Sequence, residues 1–245
     1  MRGKIRPISL ACRAIIDLMH ASVPLVVVHR MMKLERLATA RASRAVRPSW
    51  AAIFAKAFCI VARDEPWLRT FYLRWPRQRF YEVPKSVAMI AVIHEGFDKE
   101  VPIMVKINAA DEFSLENLEA LIQHGKTAPL DDLPLLKRAL RVTRMPLPLR
   151  RLLWAISLNS GRLRVKNFGT FWITSIASLG SETVVARMPG PNLISYGLVR
   201  PDHTMELLLH WDHRLYDGIV SARVLQRLED VLNTNIADEL LMNGA

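Results

Sequence analysis

The most informative segment of the sequence is His210-Trp211-Asp212-His213-Arg214-Leu215-Tyr216-Asp217-Gly218. It follows a mostly apolar run, Met205 to Leu209, that is typical of a buried strand. A histidine four residues ahead of an Asp-Gly pair, where a strand ends, is well placed to act as a general base, because the strand holds the backbone while the imidazole stays within reach of a substrate. Histidine in an unperturbed setting has a pKa of about 6.5 and can accept a proton near neutral pH. On spacing alone, a surface histidine beside a turn explains the pattern equally well.

The residue identities in this stretch are more specific than the spacing between the histidine and the Asp-Gly pair. Asp212-His213-Arg214-Leu215-Tyr216-Asp217-Gly218 resembles the D-H-R-x-x-D-G signature of the acyltransferase (E2) components of 2-oxo acid dehydrogenase complexes, a family that shares its fold with chloramphenicol acetyltransferase. Upstream, Gly169-Thr170-Phe171-Trp172-Ile173-Thr174-Ser175 resembles the family segment G-T-F-T-I-[ST]-N. Pro191 to Leu198 is similar to the family strand that follows a proline. Weaker similarities, in the same order along the chain, extend the resemblance from about residue 5 to about residue 241.

The resemblance implies an α+β fold like that of chloramphenicol acetyltransferase, with a central mixed β-sheet flanked by helices and with chains that form trimers. We expect residues 1–245 to form a single acyltransferase catalytic domain, with a basic, apolar helical insertion at about 126–164. E2 chains usually carry a lipoyl domain and a small peripheral-subunit-binding domain ahead of this one. The sequence shows neither, nor their flexible linkers, which favours a diverged, stand-alone acyltransferase.

The family chemistry implies direct transfer of an acyl group from a thioester, with coenzyme A or acyl-CoA as substrate and no metal, to a thiol, hydroxyl or amine. His213 would be the general base, and Thr174 would stabilise the oxyanion of the tetrahedral intermediate. Ser175 is the alternative donor if the alignment is shifted by one residue. In trimers of this family the active site lies between subunits, so His213 and Thr174 would come from neighbouring chains. A non-catalytic trimeric scaffold that keeps the E2 fold is the alternative function.

The remaining predicted site residues surround the histidine. Asp217 would brace the loop through an arginine, and either Arg13 or Arg214 could be that partner. Arg214, Gly218 and Ser175 are further candidates for the substrate pocket.

Net charge and cysteine content indicate which classes of partner and which cellular location to expect. The net charge is +11, from 34 basic and 23 acidic residues, and aromatic residues make up only 7% of the chain. Because the basic residues follow no recognisable nucleic-acid-binding module, we expect no nucleic acid partner; the anionic coenzyme A fits better. Cys12 and Cys59 lie in apolar surroundings and are interpreted as buried thiols, which favours a cytoplasmic location. We find no apolar run long enough to span a membrane.

The predicted insertion combines arginines, leucines and a tryptophan. The segments are Leu133 to Arg141, Met145 to Leu149 and Arg150 to Ile156. This composition suits a helix that lies in a bilayer interface, so residues 133–156 are a candidate contact for a membrane or an acidic carrier protein. The alternative is a helical hairpin packed on its own domain or on a neighbouring subunit.

Periodicity predicts the other elements. Ser49 is expected to cap a helix from Trp50 to Asp64, and Ser114 another through His124. A first helix is expected at Ile8 to Met19 and a final one at Gly218 to Asn233. The strands are predicted at Leu25 to Val28, Ser86 to His94, Val101 to Ile107, Val165 to Ile176, Leu193 to Val199 and Thr204 to Trp211.

Overall fold

The structure is a computed structural model that describes residues 4–6, 25–96, 102–177, 180, 183–186 and 188–242. The strands, in chain order, are β1 (Lys4–Arg6), β2 (Leu25–Lys33), β3 (Thr70–Leu73), β4 (Arg79–Glu82), β5 (Val87–Val92), β6 (Ile103–Asn108), β7 (Phe171–Thr174), β8 (Asn192–Val199) and β9 (Thr204–Asp212). The helices are α1 (Glu35–Ala42), α2 (Trp50–Asp64), α3 (Leu115–Thr127), α4 (Pro134–Thr143), α5 (Leu147–Asn159), α6 (Gly161–Phe168), α7 (Gly218–Val231) and α8 (Ala237–Met242). The predicted helix at Ile8 to Met19, which contains Cys12, lies outside the described residues.

A six-stranded mixed sheet organises the molecule. Its strand order is β2-β9-β8-β7-β5-β6, and β7 runs parallel to both of its neighbours while the other pairs are antiparallel. A smaller sheet has the order β1-β4-β3. The predicted α+β class, with a central mixed sheet flanked by helices, is therefore confirmed.

One face of the large sheet carries the main hydrophobic core. The helix α2 packs there because ten of its fifteen residues are buried, nine of them apolar and the tenth Lys56. Its start is set by Ser49, whose side chain accepts a hydrogen bond from the backbone N–H of Ala52, as the sequence predicts. On this face Phe58 lies against Phe171, with ring centroids 4.5 Å apart. Alternate residues of β7 and β9 point into the same core, so the strands that carry the site motifs are firmly held.

The opposite face of the sheet is covered by α4, α5 and α6, the region predicted as an insertion. No residue of α4 or α5 is buried, whereas α6 buries Val165 and Phe168. Between these helices and the sheet lies a cavity of about 360 Å³. Within the described part of the chain, none of the helices is long and apolar enough to cross a membrane.

The structure corrects the predicted strand at Val165 to Ile176. Its first four residues are the last turn of α6, because Val165 and Phe168 are three positions apart and form the buried side of a helix. The helix ends at Gly169, whose φ of +62° suits glycine. A side chain there would also approach the Val87 carbonyl oxygen to 2.7 Å, so the close passage of α6 into β7 depends on this glycine.

Candidate active site

His213 lies in the turn that directly follows β9. Its side chain is half-buried, and its ring centroid is 5.9 Å from that of Trp211. The residues on either side form a bidentate ion pair, in which the Arg214 guanidinium donates to both carboxylate oxygens of Asp212 at 2.8 and 2.6 Å. The turn is closed by the Leu215 N–H, which donates to the Asp212 carbonyl at 2.9 Å. The backbone around the histidine is therefore held from both sides.

A buried hydrogen-bond network supports the rest of the loop. The Trp211 indole N–H donates to the Tyr216 carbonyl at 2.8 Å, and the two rings stack with centroids 5.6 Å apart. The Tyr216 hydroxyl donates to the side-chain oxygen of Asn192 on β8, at 2.5 Å. The Asn192 amide in turn donates to the Leu68 carbonyl. This network links the ends of two strands to the loop. No sequence signal pointed to it, since a lone asparagine at a strand start is common.

Sequence reasoning also missed Arg164 on α6. Its guanidinium is buried and donates to the carbonyls of Tyr72 at 2.7 Å and Pro189 at 3.3 Å. Burial lowers the pKa of Arg164 to about 10; Asp212 nearby opposes this shift and Arg214 reinforces it. Arg164 thus places a second positive charge near the carboxylate that precedes His213. No sequence signal distinguishes it from the exposed arginines of the same region.

Asp217 has a clear structural role as the N-cap of α7. Its carboxylate accepts hydrogen bonds from the backbone N–H groups of Ile219 and Val220 at 3.0 and 3.2 Å. Of its two predicted arginine partners, Arg214 pairs with Asp212 and Arg13 lies outside the described residues. Gly218 is the first residue of α7 and is exposed, with no atom within 4 Å of where a Cβ would lie.

Thr174 is the last residue of β7 and is half-buried. Its side chain lies on the sheet face opposite the main core, because its neighbour Ile173 belongs to that core and successive strand residues alternate. The Ser175 hydroxyl donates to the Tyr196 carbonyl at 2.8 Å and accepts from the Ala177 N–H, so it serves mainly to hold the strand end. Of the two candidate oxyanion donors, these contacts favour Thr174.

Within one chain, His213 and Thr174 lie at opposite ends of the sheet. Across β7, β8 and β9 the register places Trp211 level with Phe171, and Leu208 level with Thr174. His213 is beyond Trp211, and Thr174 is three residues further along β7 in the other direction. With a strand spacing of about 4.8 Å and a rise of about 3.3 Å per residue, the two residues are roughly 20 Å apart. One chain alone cannot bring them to the same substrate atom.

A second histidine, His210, is buried on the face of the sheet that carries Thr174. Neither ring nitrogen makes a well-aligned hydrogen bond within the described residues. Burial lowers the pKa of His210, and the Val184 backbone partly offsets the shift. His210 therefore favours the neutral form. Away from the loop, the Cys59 thiol is buried too, and burial raises its pKa to about 12. We find no cluster of potential metal ligands in the part of the chain that the structure describes.

Comparison with solved structures identifies the fold. A dihydrolipoamide acetyltransferase from Azotobacter vinelandii matches with a TM-score of 0.60 at 18% identity, over 95% of this chain and 92% of that one. A probable dihydrolipoamide acetyltransferase from Listeria monocytogenes matches with a TM-score of 0.58 at 18% identity, over 94% of both chains. A chloramphenicol acetyltransferase matches with a TM-score of 0.58 at 12% identity, over 94% of this chain and 99% of that one. No protein-family model and no curated protein matches the sequence. The chain therefore has the acyltransferase fold that its motifs indicate.

Proposed function

We propose that the protein is an acyltransferase that moves an acyl group from a thioester, acyl-CoA, to a thiol, hydroxyl or amine acceptor. The observation that carries this proposal is the position of His213, half-buried at the end of β9 on a loop held by the Asp212–Arg214 ion pair and the Tyr216–Asn192 hydrogen bond. A base held in this way can meet a substrate proton without losing orientation. The fold is similar to that of two dihydrolipoamide acetyltransferases, and the loop sequence resembles the signature of the E2 family, which supports the proposal.

In the proposed mechanism, the imidazole of His213 takes the proton from the acceptor as its oxygen, nitrogen or sulfur attacks the thioester carbonyl. A tetrahedral intermediate forms, and its negative charge lies on the former carbonyl oxygen. A hydroxyl aimed at that oxygen stabilises the transition state, and loss of one such donor costs about 10²–10³ in rate. Collapse breaks the C–S bond, and the departing thiolate takes the proton back from the imidazolium. The acyl group ends on the acceptor and free thiol is released.

We assign the hydroxyl to Thr174 of a neighbouring subunit. The separation of roughly 20 Å within one chain supports this assignment, because it leaves an intersubunit contact as the way to join the two groups. A homotrimer with one site at each of its interfaces has the symmetry that this requires. The Azotobacter enzyme has been studied for the roles of a serine, a histidine and an asparagine four positions after that histidine. His213 and Asp217 have the same spacing, with aspartate in place of asparagine.

The first experiment measures thiol release from a panel of acyl-CoAs with a small thiol, an alcohol and an amine as acceptors. We expect turnover by the native protein and a loss of about 10²–10⁴-fold in His213→Ala, the usual contribution of a general base. Thr174→Val should lower kcat and Thr174→Ser should largely retain it, because only the latter keeps the hydroxyl. Equal turnover by the native protein and His213→Ala would reject the assigned base, and no turnover with any donor would favour the scaffold.

A second experiment tests the intersubunit site. His213→Ala and Thr174→Val chains with different affinity tags are produced together, and mixed assemblies are isolated through both tags. An interface between a His213→Ala chain and a Thr174→Val chain can then hold one intact pair of His213 and Thr174. Mixed assemblies should be markedly more active than either variant alone. If isolated mixed assemblies show no recovery, the two residues do not act together across an interface.

The face formed by α4 and α5 supports a further proposal, that the enzyme works at an anionic membrane surface or on an acidic carrier. Leu149, Leu152 and Trp154 are exposed on α5, beside the half-buried Arg150 and the exposed Arg151. Apolar and cationic side chains on one short helix are typical of peripheral membrane contact. An acyltransferase with this surface would meet acceptors or donors that lie in the bilayer.

A further inference from the structure

The cavity beneath α4 and α5 is mainly apolar, and no residue of the His213 loop lines it. Its floor is the sheet face opposite the main core, where Met89 and Trp172 stand side by side on paired strands. Its roof comes from Leu140 on α4, and Trp154 on α5 closes one side by stacking on Phe168. Its volume of about 360 Å³ lies within the range of about 300–1,000 Å³ that is usual for small-molecule sites.

A second cavity of about 340 Å³ adjoins the first under the start of α4. The two share Ile103, Met104, Leu135, Leu136 and Arg138 in their linings. The second is more polar, because Lys106, Lys166 and Arg138 line it. A single carboxylate, that of Asp132, is found among its lining residues, so positive charge is in excess there.

The cations converge on two successive residues of α6. The Lys106 ammonium donates to the Lys166 carbonyl at 3.1 Å, and the Arg138 guanidinium donates to the side-chain oxygen of Asn167 at 2.8 Å. Burial lowers the pKa of the half-buried Lys106, and the charges of Lys166 and Arg138 lower it further. Three like charges held together in this way are stabilised when an anion binds among them.

We propose that the two cavities form one binding site for a single-chain amphiphile, with an acyl chain in the apolar cavity and an anionic head on Lys106, Lys166 and Arg138. A fatty acid anion has this chemistry, and so does the head and one chain of an anionic phospholipid. An apolar chain alone would leave the cations unpaired, and a small anion alone would leave the apolar cavity empty. The site is separate from the His213 loop and does not depend on acyl transfer.

The packing of α4 makes entry of such a ligand reasonable. The helix has an apolar side toward the cavities, yet none of its residues is buried. A helix that buries so little can move outward at small cost in packing energy, and a bound chain would add the apolar contacts that it lacks.

The experiment measures binding of monomeric hexadecanoate by calorimetry in the His213→Ala protein without any coenzyme A, so the result is independent of catalysis. Hexadecyltrimethylammonium, with the same chain and the opposite charge, is the matched ligand. We expect the anion to bind at least about tenfold more tightly, since its carboxylate can accept charge-assisted hydrogen bonds from the three cations. Equal affinity for the two ligands would reject the cationic head site.

Two phenylalanine variants test the position of the chain. Ala139→Phe fills the apolar cavity from α4, whereas Ala155→Phe adds the same ring to an exposed position of α5 outside the linings. Ala139→Phe should weaken hexadecanoate binding by about tenfold or more, and Ala155→Phe should leave it unchanged. Equal effects of the two variants would place the ligand elsewhere and overturn the proposal.

Fluorescence locates the bound chain directly. A hexadecanoate brominated near its middle should quench Trp172, which lines the cavity, so Trp172→Phe should reduce the quenched fraction while Trp50→Phe should not. A parallel titration with phosphatidylglycerol vesicles separates the two lipid sources: transfer of the same quench from brominated vesicle lipid identifies a phospholipid ligand, and quench by the monomer alone identifies a free fatty acid. Absence of Trp172 quench from both sources contradicts the site.

Discussion

Two helical layers cover the two faces of the same sheet, and they are packed in very different ways. The helix α2 buries ten of its fifteen residues, and the ring of Phe58 lies against Phe171 on the strand that ends at Thr174. On the other face, α4 and α5 bury none of theirs and stand over two cavities. The first layer holds the strands in place, and the second leaves space and exposed apolar surface. The main hydrophobic core thus lies on one face of the sheet, and the proposed binding surfaces lie on the other.

The largest effect that separates the layers should appear in stability. Phe58→Ala on α2 removes a fully buried ring and should lower the free energy of unfolding by about 3–5 kcal/mol. Leu152→Ala on α5, where the side chain is 56% exposed, should change it by less than about 0.5 kcal/mol. Urea unfolding followed by circular dichroism measures both. A comparable loss in the two variants would mean that α5 is covered in solution, for example by a second subunit.

The layer formed by α4 and α5 can be tested by its affinity for membranes. Arg150→Gln combined with Arg151→Gln should weaken binding to anionic liposomes roughly thirtyfold at low salt, since each cation near the surface contributes about 1 kcal/mol. Arg36→Gln combined with Arg200→Gln removes the same charge from elsewhere and should have little effect. Co-sedimentation measures the partition. If the native protein does not bind anionic liposomes at low salt, the membrane interpretation is wrong.

The hydrogen-bond network that supports the His213 loop can be tested by mutation. Tyr216→Phe leaves the Asn192 oxygen without its buried donor and should lower the free energy of unfolding by about 1–2 kcal/mol. Combining it with Asn192→Ala in a double-mutant cycle isolates the coupling between the two side chains. Additive losses would show that the hydrogen bond does not hold the loop, whatever each substitution costs alone.

A smaller, pH-dependent effect should come from His210. Its folded-state pKa lies below that of the unfolded chain, so below about pH 6.5 the unfolded state binds more protons and stability falls as the pH decreases. His210→Leu should flatten this part of the stability profile. His29→Gln, which removes an exposed histidine, should not. Urea midpoints measured between pH 5 and pH 8 provide the comparison, and parallel profiles for the native protein and His210→Leu would contradict the assignment.

Much of the fold could be predicted because its signals are local. Ser49 and the apolar run after it mark both ends of α2, and the mostly apolar run of β9 marks a strand that ends where the motif begins. The strand predicted at Val165 failed because a short apolar run has no clear period, and tertiary packing made it the end of a helix. Arg164 and Asn192 could not be found, since their roles depend on carbonyls from distant segments.

The sequence alone was sufficient to recognise the motif at His213, the companion motif at Thr174 and the basic, apolar character of residues 133–156, because each lies in one contiguous stretch. The positions of these stretches relative to one another depend on the tertiary structure. The strand register places His213 and Thr174 at opposite ends of one sheet, and the loose seating of α4 and α5 leaves cavities over its outer face. The distance between His213 and Thr174 and the volume of the cavities result from contacts between segments that are far apart in the sequence, so no local sequence pattern predicts them.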